Sequence, residues 1–132
     1  MRPTYLLDTD WVIHYLNGRT DIVEEIDRAR NLGLALSVVS LAELYEGVHY
    51  SRDPEGNEQS LQDFLADVEV IGVDEAICRI FGWERGKLRQ RGKAIGDFDL
   101  LIAATCLHNG FTLLTNNRRH FDQVENLAIV SI

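Results

Sequence analysis

Only two cysteines occur in the 132 residues, Cys78 and Cys106, and neither belongs to a Cys-x-x-Cys pair. That scarcity excludes a disulfide framework and a structural zinc site, and leaves both side chains as small buried hydrophobes. Long apolar runs are missing as well. The longest, such as Leu100 to Ala104, fall far short of the ~20 residues that span a bilayer, so no membrane anchor is expected. The opening MRPTYLLDTD carries charge inside the stretch where a secretory signal needs roughly 7–15 apolar residues, which makes the cytoplasm the expected compartment. There is no internal repeat and no low-complexity tract. Hydrophobic content of 45% and charged content of 26% are those of a soluble globular protein, which removes the disordered and fibrous classes.

Positive charge is also in short supply, with 13 Lys and Arg against 21 Asp and Glu and a net charge of −8. A protein that grips nucleic acid by bulk electrostatics needs the opposite balance. The cations are nevertheless concentrated: Arg79, Arg85, Lys87, Arg89, Arg91 and Lys93 form one basic stretch, and Arg118 and Arg119 a smaller one. Taken alone, such a stretch reads first as a solvated helix face and second as a local track for a polyanion.

The length suits one domain over residues 1–132. Short apolar segments at Tyr5 to Leu7, Ala35 to Val39, Val68 to Ile71, Thr112 to Thr115 and Ala128 to Ile132 read as strands. Between them lie helix-patterned stretches at Trp11 to Leu16, Asp21 to Asn31, Leu41 to Tyr50, Glu58 to Ala66, Glu75 to Gln90 and Phe98 to His108, several closed by Gly or Asn-Gly. That alternation predicts an α/β fold with a largely parallel sheet covered by helices. The segment SRDPEGN, Ser51 to Asn57, reads as a surface turn.

The acids give the chain its chemical character. In open parallel sheets, ligands bind outside the carboxyl ends of the strands, and acids fall at those ends here. Asp8 ends the first strand; Glu43 lies about one helical turn past the second; Asp97 and Asp99 lie at the start of the apolar helix that leads to the fourth. If strands one, two and four are neighbours, these carboxylates converge. Two charges about 4 Å apart repel by roughly 4 kcal/mol at an effective dielectric near 20, so a cation must compensate. An oxygen-rich set of this kind suits a hard divalent ion, Mg²⁺ or Mn²⁺, and without one an acid should hold a proton. Asp10 is most simply the N-cap of the first helix, and Asp97 can cap the helix that contains Asp99. Thr115, Asn116 and Asn117 close the fourth strand, where they orient a water or phosphate or simply build a turn. His120 lies beside the same strand end.

Four segments, LLDTDWVI, SVVSLAELYEG, GDFDLLIAATCLHNG and TLLTNNRRHF, together resemble the PIN-domain ribonucleases, specifically the VapC toxins of prokaryotic toxin–antitoxin pairs. The resemblance spans nearly the whole chain in order. It implies a PIN-like three-layer α/β/α fold with a mainly parallel sheet of about five strands. Asp8, Glu43 and Asp99 match the family's metal-binding acids, with Asp97 as second choice and Thr115 and Asn117 in support. Asn117 is a departure, because many members carry an acid there, and this argues against a tightly held second ion. The resemblance further implies Mg²⁺- or Mn²⁺-assisted hydrolysis of RNA, a cognate VapB-type antitoxin whose arginine-bearing segment blocks the acidic groove, and a homodimer. Arg85, Lys87, Arg89, Arg91, Arg118 and Arg119 are the RNA-binding candidates.

Two other readings fit parts of the pattern. DTDWV and GDFD also resemble a haloacid-dehalogenase-like phosphatase, with Asp8 as nucleophile, Asp10 as acid/base and Lys93 on the phosphate; Glu43 has no role there. In a non-catalytic partner-binding module the acids would only cap helices.

Overall fold

The computed structural model describes residues 2–132. Five strands, β1 (Tyr5–Leu7), β2 (Leu34–Ser37), β3 (Val68–Ile71), β4 (Thr112–Leu114) and β5 (Ile129–Val130), form one sheet in the order β3-β2-β1-β4-β5, and every pairing is parallel. Parallel strands need crossovers, and the helices supply them: α1 (Thr9–Leu16), α2 (Thr20–Ala29), α3 (Val38–His49), α4 (Pro54–Leu65), α5 (Glu75–Gln90), α6 (Asp97–Asn109) and α7 (Arg118–Phe121). β1 stands at the centre with β2 on one side and β4 on the other. The chain therefore builds outward in one direction through β3 and then in the other through β5, and the reversal lies between β1 and β4.

Alternation along the strands divides the core between the two sheet faces. Leu6, Ala35 and Leu113 pack with Leu88, Ile102 and Phe121 under α5, α6 and α7. Leu7, Leu36 and Leu114 pack with Trp11, Ile22, Leu44 and Phe64 under α1 to α4. These two layers and the sheet between them make the three-layer α/β/α sandwich. Full burial of one such side chain contributes about 1.5–3 kcal/mol. α6 is apolar around most of its circumference, and Leu100, Ile102, Ala103, Ala104, Thr105 and Cys106 are all buried, as expected for a helix enclosed by neighbours. Two glycines hold tight turns. Gly33 has φ +89°, and a Cβ there would stand 2.7 Å from Pro3 Cα; Gly110 closes α6 in the left-handed conformation.

Several element boundaries differ from the sequence expectation, each through capping. Ser37 accepts a hydrogen bond from the Val39 N–H at 3.1 Å, so Val38 and Val39 open α3 instead of extending β2; the cap outweighs their β-branched preference. Asp53 accepts from the Gly56 N–H and Pro54 occupies the first turn of α4, so that helix starts inside the segment expected to be a turn. Asp8, not Asp10, caps α1. Gly96 stands at the N-cap of α6 and Asp97 is its first helical residue, so Asp97 does not cap. Its carboxylate is instead held by Arg85 at 2.6 Å. α7 was not anticipated, and Cys78 is exposed while only Cys106 is buried. No helix among the described residues is long and apolar enough to cross a membrane.

Candidate active site

All five strands run the same way, so the helix N-termini that follow β1, β2 and β4 share one edge of the sheet with the β1/β4 switch point. There an open groove is lined by Asp8, Thr9, Asp10, Glu43, Asp99 and Asn117, among others. Asp8 and Asp10 come from the start of α1, Glu43 from α3, Asp99 from the first turn of α6 and Asn117 from the loop after β4. The three acids that sequence reading singled out are thus gathered in one place, as adjacency of strands one, two and four requires. Asp97 does not line the groove.

Each carboxylate is fixed by a neighbour. Asp8 is buried and receives the Thr9 N–H at 2.9 Å on Oδ1 and the Thr115 hydroxyl at 2.7 Å on Oδ2. The Thr9 hydroxyl donates to Glu43 Oε1 at 2.9 Å. Asp99 Oδ2 lies 3.1 Å from His120 Nδ1, and the Asn117 amide lies 3.0 Å from the same ring nitrogen. Asp10 Oδ2 accepts the Asn116 N–H at 3.2 Å. Asn116 is itself held, its side-chain oxygen accepting from Trp11 Nε1 and from the Ile132 N–H, both at 3.1 Å.

Electrostatics record the cost of this gathering. Burial, with the charges of Asp10 and Asp99 adding to it, pushes Asp8 up to about 7 against the pull of Thr115 and Thr9. Asp10 is also raised, chiefly by burial. Both acids favour a proton in the absence of a cation. The N-termini of α1, α3 and α6 offset part of the cost, since a helix start stabilises nearby negative charge by roughly 0.3–1 kcal/mol.

Among the described residues, no group of three or more His, Cys, Asp or Glu side chains is already drawn together closely enough to hold a metal ion. The donors are all oxygens around an open groove, and the buried Asp10 Oδ1 has no hydrogen-bond partner among the described residues. An oxygen set of this kind fits a hard ion that keeps several waters and takes one or two carboxylates. A thiol contributes nothing here, because burial pushes Cys106 far above neutrality.

The structure adds two residues that sequence reading did not place in the carboxylate set: Thr9 fixes Glu43, and Asp10 faces the groove. Asn116, read from sequence as orienting a water or phosphate or building a turn, instead fixes Asp10. The only sequence signal for Asp10 was its position two residues after Asp8, which the capping interpretation absorbed. Lys93, the phosphate partner in a phosphatase, does not line the groove.

The basic stretch is largely engaged with the protein itself. Arg85 is mostly buried, donates to the Ile95 carbonyl at 2.8 Å and pairs with Asp97. Lys87 pairs with Glu84 at 3.0 Å, Arg91 with Glu125 at 3.1 Å and Arg118 with Asp122 at 3.4 Å. Arg89 and Arg119 are exposed and carry no ion pair among the described residues.

Residues 5–127 match the family model of the PIN domain. The chain is 35% identical to "Ribonuclease VapC2" of Rickettsia felis over 95% of both chains. It is 30% identical to the "tRNA(fMet)-specific endonuclease VapC" of Shigella flexneri over 93% of both. Among solved structures, it superposes on a chain of the DNA-bound VapBC2 complex of Rickettsia felis with a TM-score of 0.91 and 30% identity, covering 98% of each. The DNA-bound VapBC of Salmonella typhimurium gives a TM-score of 0.90 at 26% identity, again with 98% coverage of each chain.

Proposed function

The chain belongs to the PIN-domain family, and from its carboxylate groove we infer that it is an endoribonuclease and the toxin of a toxin–antitoxin pair. One observation carries the reading: Asp8, Glu43 and Asp99, drawn from three separate crossovers, face a single open groove at the β1/β4 switch point. Such a groove is too acidic to receive a polyanion alone, and an ion with water on its free positions reconciles the two.

Asp8, Glu43 and Asp99 would hold Mg²⁺ or Mn²⁺. When bound, the ion polarises a phosphoryl oxygen and lowers the pKa of water enough to supply a nucleophile at neutral pH. The chain's own groups do the positioning. Thr115 and the Thr9 N–H aim the Asp8 carboxylate, Thr9 fixes Glu43, and His120 holds Asp99. Asn117 offers an amide to a phosphate oxygen, and the N-termini of α1, α3 and α6 favour the phosphodiester's charge. Water attacks phosphorus and the P–O ester bond opposite it breaks, without a covalent enzyme intermediate.

Outside the groove, Arg89 and Arg119 are the RNA-binding candidates that carry no ion pair among the described residues and would grip the RNA backbone. Arg91 and Arg118 become available by exchanging exposed ion pairs, whereas Arg85 and Lys87 stay with their internal partners. A net charge of −8 and an acidic groove complement an arginine-bearing segment of a VapB-type antitoxin, and the likeness to VapBC complexes supports such a partner; the toxin would act as a homodimer in the cytoplasm. The test is incubation of the purified protein with total cellular RNA, with and without Mn²⁺, beside Asp8→Asn and Asp99→Asn. Discrete metal-dependent cuts that vanish in both variants support the assignment; cutting that persists in either, or in EDTA, rejects it.

A further inference from the structure

We propose that Asp10 is a fourth acid of the cation-holding set, presenting Oδ1 to the ion that Asp8, Glu43 and Asp99 face. This rests on reading the groove as a metal-dependent nuclease site. The two carboxylates of the Asp8-Thr9-Asp10 turn have four oxygens, and three are satisfied by donors of the protein: Asp8 Oδ1 by the Thr9 N–H, Asp8 Oδ2 by the Thr115 hydroxyl, and Asp10 Oδ2 by the Asn116 N–H. The fourth, Asp10 Oδ1, is buried and has no partner among the described residues.

A buried anionic oxygen is stable only with a donor or a cation against it. Arg19, whose charge reaches Asp10 most weakly among its own interactions, is bound to Asp21 through two nitrogens. His14 lies on the same helix as Asp10 and acts on it only through its charge. What remains is the Asp8 carboxyl, whose side chain engages that of Asp10, and the groove that both acids line. The bond network also explains why Asp10 is not a simple cap. Its Oδ2 is turned toward β4 by Asn116, which Trp11 and Ile132 hold in turn, so its free oxygen is positioned from outside α1.

Calorimetric titration with Mn²⁺ tests the proposal on the full chain, comparing the wild type with Asp10→Asn, Asp10→Ser and Asp8→Asn. Thermal unfolding of each is followed in EDTA. Asp10→Asn preserves shape and an acceptor for the Asn116 N–H while removing the charge. Its affinity for Mn²⁺ should fall by about tenfold or more, and its metal-free melting temperature should rise, because an unmet carboxylate is gone. A merely structural Asp10 gives the reverse pair of results. Asp10→Ser should lose Mn²⁺ affinity to a similar extent, and it carries the test if Asp10→Asn does not fold. Wild-type Mn²⁺ affinity in both folded Asp10 variants, with affinity lost in Asp8→Asn, overturns the role of Asp10 and leaves the nuclease reading standing. Unchanged affinity in Asp8→Asn as well overturns both.

Discussion

The Thr115 hydroxyl donates to Asp8 Oδ2 across 107 positions of sequence, joining the ends of β1 and β4 at the point where strand order reverses. The same oxygen of Thr115 accepts the Asn117 N–H at 2.9 Å, so one hydroxyl orients both an acid and an amide of the groove. Thr115→Val keeps the shape and removes both bonds. It should lower unfolding free energy by about 1–3 kcal/mol and reduce RNA cleavage by roughly tenfold or more. Thr115→Ser should recover most of both, as measured by urea denaturation and by initial cleavage rates.

Asp8 and Asp10 set the pH response of the metal-free protein. Their proton affinities are raised in the folded state, so the folded protein binds more protons than the unfolded chain between the ordinary carboxylate range and about 7. Their contribution to stability is complete below that window and is lost as pH rises through it. The melting temperature in EDTA should therefore fall by several degrees from about pH 5 to about pH 8. Asp8→Asn should flatten that slope. A melting temperature that rises across the interval would contradict the assignment.

Glu84 and Lys87 form an ion pair of unequal burial, the acid enclosed and the lysine partly exposed. Glu84 is 6% exposed and its Oε1 has no partner among the described residues, while Lys87 also reaches Glu125 at 3.8 Å. Removing the lysine strands the acid: Lys87→Met should cost about 3 kcal/mol. Replacing the acid by an apolar residue leaves Lys87 with Glu125, so Glu84→Met should be neutral or stabilising by about 1 kcal/mol. Chemical denaturation of the two single variants distinguishes these directions.

The exposed cations separate from the engaged ones in an RNA-binding assay. Arg89→Glu and Arg119→Glu should weaken RNA binding and lower the slope of log affinity against log salt by about one per lost phosphate contact, with little change in stability. Arg85→Ala should act oppositely. Its guanidinium holds the Ile95 carbonyl and Asp97 just ahead of Asp99, so the protein should lose stability by about 1–3 kcal/mol. Its salt slope should not change.

Much of this architecture was legible in the chain. Short apolar segments separated by helical stretches gave the parallel sheet, and acids at the strand ends marked the edge where ligands bind. Asp8, Glu43 and Asp99 were readable because each closes or follows an apolar run. Boundaries were obscured where a polar residue has two uses. Ser37 looks like strand interior until its hydroxyl is seen to cap α3, and Asp8 serves as cap and groove acid at once, which shifted the capping role wrongly to Asp10. The engagement of Arg85 was invisible for another reason. Its partner Asp97 lies on α6 and is set by the packing of α5 against that helix, about which a linear run of basic residues carries no information; the Glu84–Lys87 pair, by contrast, follows helical i,i+3 spacing.

The groove is made of pieces from opposite ends of the polypeptide, and this governs when it comes into being. A ribosome-bound nascent chain that has not yet released β4 has Asp8 and Glu43 but neither the Thr115 hydroxyl nor the Asn116 N–H that hold the acids in place. The finished set is assembled only after β4 and the Thr115 to Asn117 segment have been synthesised and folded back against β1. The producing cell is thereby spared active enzyme until that segment has left the ribosome.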